Sequence, residues 1–478
     1  MTVTYPLDNL IAGDSVPGGS GTELEVSNPS TGAAIAVLRE ATAEQVDAAV
    51  RAARWAQRGW ARTTPGARGE ALHAIASLVA DRVDEFAELE SIDAGKPITT
   101  ARTVELPGIV AGLRYFAGAG RLSSVLATDE YVAGNTIMMR REPVGVIAAI
   151  TPWNFPLQQA IWKIGPALAT GNTIVVKPAE LAPLSTSRFV ELANEVLPPG
   201  VLNIVHGRGV TVGEQLVRHP DVALVSFTGS TRAGQRIAEL AATGPKRVLL
   251  ELGGNAPVLV FDDADLERLV PTLATAVLFN AGQECMSGNR ILAGERVFDT
   301  LVERLAAAMG QWQLGDAANP VTTLGPLISQ AHQQSVRSAV SARPPQTRLV
   351  LGGDAPDRPG YFFNPTLITD IEQTDPLVQR EVFGPVATVQ PFRDEDQAVA
   401  YANGTTYGLA ASVWTADGAR GLRIARDLDF GSVWVNNHFV LGPEVPQGGF
   451  GASGYGKEGG LAGVDEMTRL KQVSVRLD

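Results

Sequence analysis

The only cysteine of the 478-residue chain, Cys285, lies in the stretch Asn280-Ala281-Gly282-Gln283-Glu284-Cys285. Most free cysteines are small buried hydrophobes with no chemical role. Here the neighbours are polar instead of apolar, and Gly282 permits a tight backbone turn just ahead of the thiol. Upstream, Glu251 follows the apolar run Val248-Leu249-Leu250 and precedes Leu252-Gly253-Gly254. Apolar surroundings desolvate a carboxylate and raise its pKa, as a general base working near neutral pH requires. A nucleophile and a base together point to covalent acyl chemistry.

Those two residues must be held by a sizeable framework. A chain of this length exceeds a single typical domain, so two or three cores are expected. Hydrophobic residues make up 45% and charged residues 19%, a balance too apolar for disorder. The net charge of −12, without any Lys/Arg run, argues against nucleic acid as a partner. One cysteine excludes an internal disulfide framework and fits a reducing compartment. The histidines (His73, His206, His219, His332 and His438) show no pair at a metal-ligand spacing, so no metal site is expected. Met1 to Gly19 has neither a basic start nor an apolar core and reads as no signal peptide. No apolar stretch approaches a membrane span. A cytoplasmic protein without membrane contact is the expectation.

Apolar periodicity places helices between Ala43 and about Phe116, with Val46, Ala49, Val50 and Ala53 on one face. From Val144 the period changes. Strands are predicted at Val144–Ile150, Thr173–Lys177, Val201–Val205, Val222–Thr228 and Val248–Glu251, with helices at Thr186–Leu197 and Arg232–Ala242. Strands apolar throughout, alternating with amphipathic helices, imply a parallel sheet covered on both faces, with ligands at the carboxyl ends of its strands. A second α/β series follows Gly254: Val258–Phe261, a helix over Leu266–Phe279, Arg290–Leu292, a helix over Phe298–Met309, then Val386–Pro391 and Ser432–Val435. The last residues, Gln472 to Leu477, alternate like a strand and need a partner sheet, which another subunit could supply.

Glycine patterns narrow the cofactor question. Gly454-Tyr455-Gly456-Lys457-Glu458-Gly459 matches a dinucleotide fingerprint in letters, but no strand precedes it and no βαβ unit follows, so it is read as a decoy. Gly207-Arg208-Gly209 is read as a turn. Phe227-Thr228-Gly229-Ser230 through Gly234 joins a strand's end to a helix's start, where free N–H groups and the helix dipole favour an anion. An ordinary helix cap by Ser230 or Thr231 accounts for the same letters equally well.

Taken together, these stretches resemble the aldehyde dehydrogenase superfamily. The resemblance runs from the N-terminal helices to the last strand, through Thr151-Pro152-Trp153-Asn154-Phe155-Pro156, Lys177-Pro178-Ala179-Glu180, Phe227-Thr228-Gly229-Ser230, Glu251-Leu252-Gly253-Gly254, Gly282-Gln283-Glu284-Cys285, Glu381-Val382-Phe383-Gly384-Pro385 and Gly448-Gly449-Phe450. It implies an α/β fold with a parallel Rossmann-type NAD-binding domain (1–122 and 146–253), a second α/β catalytic domain carrying Cys285 (254–446), and a small β oligomerisation flap (123–145 and 447–478). Homodimers or homotetramers would follow. Cys285 would attack the aldehyde, Asn154 would hold the oxyanion, and Glu251 would activate the water that hydrolyses the thioester. Without the resemblance, Asn154 could equally be a turn residue bonding its own backbone. The same resemblance places Lys177 and Glu180 on the adenosine ribose, with Lys177 counted among the catalytic positions as well. Trp153 and Ser230 fall at the pyrophosphate and Glu381 and Phe383 at the nicotinamide ribose, with Gly229 and Leu252 among the cofactor-binding positions. A carboxylate at the ribose hydroxyls favours NAD, with NADP tolerable.

Within the superfamily the chain resembles the aminoaldehyde branch, through Gly95-Lys96-Pro97-Ile98, Glu105-Leu106-Pro107, Arg114-Tyr115-Phe116-Ala117-Gly118-Ala119 and Trp434-Val435-Asn436-Asn437-His438-Phe439. The implied substrate is an ω-aminoaldehyde such as 4-aminobutanal, its ammonium received by Glu105, Phe155, Trp162, Phe279 and Glu284. Each of these five could instead be packing or surface. Departures from the branch are Gln158 and Gln159, Gly459-Gly460-Leu461-Ala462-Gly463, and Glu284, which would raise the thiol pKa if buried close by. The alternatives are a general aliphatic, betaine or semialdehyde dehydrogenase, acyl transfer to coenzyme A, or a non-catalytic relative. Retention of Glu251 disfavours the coenzyme A reading. Retention of Cys285, Glu251 and Asn154 disfavours the non-catalytic one.

Overall fold

The computed structural model describes residues 5–21, 23–122 and 128–478. Five buried strands form a parallel sheet in the spatial order Arg247–Glu251, Val222–Thr228, Val146–Ile150, Thr173–Lys177, Leu202–Ile204. Numbered along the chain that order is 3-2-1-4-5 read from the far edge, the Rossmann arrangement. It reverses between Val146–Ile150 and Val222–Thr228 and opens a crevice at their carboxyl ends. Antiparallel strands extend both edges: Gly454–Tyr455 beside Glu251, and Asn9–Ile11 with Asp14–Val16 beside Leu202–Ile204.

The expected helical region resolves into Ala43–Trp60, Pro65–Ala80, Val83–Ala94 and Leu106–Ala119, with a π-helical turn over Ala101–Glu105. Thr42 and Gln45 close a reciprocal capping box at the first of these, and Val46, Ala49, Val50 and Ala53 are buried against the sheet as their spacing requires. The sequence reading did not pick out the crossover helix Pro156–Ala169. All of its residues except Gln158 and Gln159 are buried, so it has no polar face for a periodicity to report.

A second sheet sets six parallel strands in the order Thr366–Thr369, Val386–Phe392, Arg290–Gly294, Pro257–Val260, Ala410–Trp414, Ser432–Val435, with Arg348–Leu351 antiparallel at one edge. The terminal strand spans Thr468–Arg476 and pairs antiparallel with Asn135–Pro143 of its own chain, so no second subunit is needed to complete the pairing. Residues 123–127 of the expected flap, like the first four of the chain, lie outside the described residues. No helix among the described residues is long and apolar enough to cross a membrane, and no group of three or more His, Cys, Asp or Glu among them could hold a metal ion.

One buried cation ties the second sheet to the loop after Glu251. Arg290, fully buried, donates to the carbonyls of Tyr401 (2.6 Å) and Ala402 (2.7 Å) at the end of helix Glu395–Ala402, and to that of Asn255 (3.3 Å). A cation suits a helix C-terminus. Burial lowers its pKa to about 9, which still leaves it charged at neutral pH. Arg290→Ala would open a void and remove the donor held by the Ala402 and Asn255 carbonyls, while that of Tyr401 keeps the Gly404 N–H (3.1 Å) and the Gln373 amide (3.2 Å). It should cost about 3–5 kcal/mol, read as a fall in the urea midpoint, with Arg290→Lys losing less.

Candidate active site

The thiol is presented by strained backbone. After helix Leu266–Leu278 the chain turns through Asn280 (φ 51°), Ala281 (φ 57°) and Gly282 (φ 69°), three consecutive residues in the left-handed region. A Cβ at Gly282 would fall 2.1 Å from the Gly384 carbonyl oxygen, so no larger residue fits there. The turn is stitched from inside. Gln283, buried, donates to the Asn280 carbonyl (3.0 Å) and accepts from the Ile328 N–H (2.9 Å). The Asn154 amide donates to the Gln283 carbonyl at 2.9 Å, and the Asn280 amide donates to the Asn154 carbonyl at 2.9 Å. Asn154 has two amide hydrogens, so one remains for another acceptor beside Cys285. Beyond the thiol, His438 Nε2 donates to the Met286 carbonyl (2.9 Å) and Nδ1 meets Ser412 Oγ (3.0 Å). Burial lowers its pKa to about 4, so the ring is neutral.

The crevice at the strand reversal holds a cavity of about 270 Å³. Cys285, Glu251, Asn154, Trp153, Phe155, Gly229, Ser230, Leu252, Glu284, Glu381 and Phe383 all line it, as do His332 and Gln159. The sequence reading did not single out His332. Its Nε2 donates to the Phe383 carbonyl at 2.7 Å, and its ring and that of Phe383 both flank Trp153 with centroids 5.3 Å away. Phe383 itself has a left-handed φ of 57°. Lys177 and Glu180 do not line this cavity. Lys177 is buried at the end of its strand and donates to the Gly207 carbonyl (2.6 Å) and to Glu180 (3.3 Å). Ser230 caps helix Thr231–Ala241 by accepting from the Ala233 N–H at 3.3 Å, so the cap is present and the helix start faces the crevice. The Gly454–Gly459 stretch is an edge strand and turn that sends Glu458 inward to pair with Lys163.

Burial dominates the electrostatics. One Glu251 oxygen, Oε1, is buried without a hydrogen-bond partner. Desolvation, then the nearby Glu458 carboxylate, raise its pKa to about 8, against the opposing pull of Lys163 and Lys457. Lys163 and Glu458 form a buried ion pair, and Lys163 also donates to Thr228 Oγ1 (2.7 Å). Glu381 accepts from the Gly254 N–H (3.0 Å) and is likewise raised to about 8, mainly by burial. The Cys285 thiol donates to Glu284 Oε1 at 3.3 Å. Burial, then the charges of Glu284 and Glu251, raise its pKa well above the usual thiol range. The expectation that a buried Glu284 would do so holds.

A second cavity of about 580 Å³ shares Phe155 with the first and is lined by Lys96, Val104, Glu105, Phe279 and Trp312 among others. Glu105 lines this second cavity and not the one that holds Cys285; its carboxylate is buried and ion-paired with Lys96 through Oε1, while Oε2 has no hydrogen-bond partner. Lys96 also meets Glu90 at 2.9 Å and lies 4.3 Å over the Phe155 ring. Trp162 lines neither cavity. It packs on the backbone of Gly459, where a Cβ would fall 2.6 Å from its ring. Phe155 stacks on Phe279 (6.1 Å), which meets Phe439 (6.1 Å), which meets Trp434 (6.4 Å), giving a line of aromatic rings. Cys285, Trp434 and Phe439 pack on one small cluster of Ala256, Met286, Leu409 and Ala410.

Comparison with known proteins agrees with this geometry. The model of the aldehyde dehydrogenase family matches residues 16–473. The chain is 40% identical to a phenylacetaldehyde dehydrogenase of Pseudomonas fluorescens, over 98% of this chain and 96% of that protein. It is 36% identical to the 2-aminomuconic semialdehyde dehydrogenase of Mus musculus, over 98% of each. The crystal structure of a betaine aldehyde dehydrogenase from Staphylococcus aureus in complex with NAD+ superposes with a TM-score of 0.95 at 36% identity, covering 98% of this chain and 95% of that one. The chain belongs to the aldehyde dehydrogenase family, and it is an oxidoreductase of that family.

A carboxyl whose pKa is higher in the folded state than the unfolded one contributes stability at low pH that is lost as pH rises toward the folded value. For Glu251 that window runs from the ordinary carboxyl value of 4.5 to about 8. Glu251→Gln removes the titration. Its melting temperature relative to the parent should therefore rise between pH 5 and pH 9, by a few degrees, the scale of about 1–2 kcal/mol in a large domain. Melts across that range check the sign.

Proposed function

We propose that the chain oxidises an aldehyde to the carboxylic acid with NAD, through a thiohemiacetal and a thioester on Cys285. The observation that carries this reading is the convergence of Cys285, Asn154 and Glu251 on one crevice of a Rossmann-ordered sheet, with a Glu251 oxygen left without a hydrogen-bond partner. Cys285 attacks as a thiolate, and the second Asn154 amide hydrogen and the Cys285 N–H receive the oxyanion. Losing one such donor typically costs about 3–4 kcal/mol of barrier. Glu251, ionised in part at neutral pH, takes the proton of the water that cleaves the thioester.

The crevice suits a dinucleotide: it lies at the strand reversal, a helix starts at it, and Glu180 closes the neighbouring strand end beside Lys177. Bound NAD supplies the acceptor for the aldehyde hydride. Lys177 and Glu180 would hold its adenosine ribose, Trp153, Gly229 and Ser230 the pyrophosphate with Leu252 beside it, and Glu381 and Phe383 the nicotinamide ribose. The sheet of residues 146–253 with 1–122 would be the NAD-binding domain, and 254–446 the catalytic one. The exposed Leu470, Val475 and Leu477 on and after the terminal strand support a homodimer or homotetramer built on 123–145 and 447–478. The lone thiol suits a reducing, cytoplasmic setting.

For the substrate we infer an ω-aminoaldehyde such as 4-aminobutanal, supported by the carboxylate of Glu284 beside the thiol and by the faces of Phe155 and Phe279. A second reading, an uncharged aryl aldehyde, is favoured by the aromatic line and by the pairing of Glu105 with Lys96.

Cys285→Ala should abolish NADH production and leave NAD binding nearly intact, whereas Glu251→Gln should keep a burst of NADH and lose steady turnover. Rapid-mix absorbance with and without coenzyme A checks both, and coenzyme A dependence would indicate acyl transfer instead. At low salt, kcat/KM for 4-aminobutanal should exceed that for pentanal by about 1–2 kcal/mol, roughly 5- to 30-fold. Equal values, with phenylacetaldehyde preferred, would select the aryl reading.

A further inference from the structure

Two carboxylates approach the thiol, and they are placed differently. Glu251 Oε1 is buried without a hydrogen-bond partner, so it does not hold the thiol hydrogen. Glu284 Oε1 does hold it, at 3.3 Å from Cys285 Sγ, and accepts the Met286 N–H at 3.3 Å as well. The Met286 N–H holds the same carboxylate oxygen that the thiol meets, while His438 holds the Met286 carbonyl. Glu284 is therefore aimed at the sulfur by the backbone that follows it.

We propose that Glu284 accepts the Cys285 thiol proton, so that thioester formation and thioester hydrolysis use two different carboxylates. The inference rests on the covalent reading of Cys285 given above. In the step, the S–H bond breaks, an O–H bond forms on Glu284 Oε1, and the electron pair stays on sulfur. That pair then bonds to the aldehyde carbon as the carbonyl π pair moves to oxygen. Because the proton passes to an adjacent anion, the net charge of Glu284 and Cys285 stays at −1 through the transfer and moves to the aldehyde oxygen on attack, so no charge separation is created in the site. Both groups are raised in pKa by burial, which suits a proton shared between them. The charged groups around the pair are Lys96 and Glu105 on the Glu284 side, and Glu251 and Glu381 on the thiol side.

The test is inactivation by iodoacetamide across pH 5.5–10, which needs no aldehyde and so separates this proposal from the assignment of the reaction. Wild-type protein should show two limbs, a lower one from Glu284 and a higher one from the thiol. Glu284→Gln should lose the lower limb and react about tenfold or more slowly near pH 6.5, at the low edge of general-base effects, and its NADH burst should slow in parallel. Glu284→Asp, with a shorter arm, should recover part of both. If Glu284→Gln reacts as fast as wild type or faster, the carboxylate merely repels the thiolate and the proposal falls. If Glu284→Gln does not fold, the wild-type profile decides alone, because a single limb at the thiol's own high pKa overturns the proposal.

Discussion

The site depends on a backbone that no L-residue adopts comfortably. Left-handed φ costs a non-glycine residue about 1–2 kcal/mol, and Asn280 and Ala281 both adopt it before Gly282. Such strain persists only where surrounding contacts over-determine it. Here they come from three directions: the Gly384 carbonyl lies against Gly282, Ile328 holds Gln283, and across the gap the Asn154 amide donates to the Gln283 carbonyl while the Asn280 amide donates to the Asn154 carbonyl. Because Gly384 belongs to the same loop as Glu381, and Glu381 lies on Gly253 with its oxygen on the Gly254 N–H, the loops at 251–254, 280–285 and 381–385 lock one another. A Cβ at Gly253 would meet Glu381 at 2.2 Å. The glycines of the three motifs are thus contact surfaces, each allowing the next loop to close.

That close packing sets the chemistry of the acids. Glu251, Glu284 and Glu381 share the crevice, and burial raises each of them. Three ionised carboxylates in so small a volume would repel one another strongly. Raised pKa values leave the group partly protonated at neutral pH and relieve that repulsion. The Lys163–Glu458 pair acts in opposite senses on Glu251, its carboxylate raising the pKa and its ammonium lowering it. Since Lys163 also holds Thr228, the strand that ends at the crevice and the acid beside it are set by one buried cation.

The sequence made the fold legible where elements are amphipathic or bounded by turns. Thr173–Lys177, Val222–Thr228 and Ser432–Val435 match the observed strands end to end. Pro156–Ala169 and Ala410–Trp414 escape the reading: an element buried on every side carries no periodicity, and these two lack the β-branched run that marks the equally buried Thr173–Lys177. Among site residues, Cys285 and Glu251 stand out by their neighbours, and Asn154 by the resemblance to the family. Lys163, His332 and His438 do not, since a charged or aromatic side chain on a buried element becomes a contact only when distant strands meet. The pairing of Glu105 is hidden in the same way: its spacing says nothing of Lys96, which meets it across a π-helical turn.

Lys96 shows how far the site reaches into the N-terminal helices. It pairs with Glu90 and Glu105 and lies over Phe155. Glu90 in turn accepts from Ser185 Oγ (2.6 Å) and from the Leu157 N–H (3.3 Å) at the start of the crossover helix. The turn that carries Asn154 is therefore held from below by a buried ionic network and from the side by Asn280. Replacing a buried ionic cluster by apolar residues of similar volume is often neutral or even stabilising, so stability alone gives little reason for one here. Orientation gives a better one. A hydrocarbon core would tolerate a small slide of the crossover helix, whereas the Glu90 contact to the Leu157 N–H fixes its first turn. Asn154 stands three residues before that contact, so the side chain proposed to hold the oxyanion inherits its position from an ion pair that does not contact Cys285.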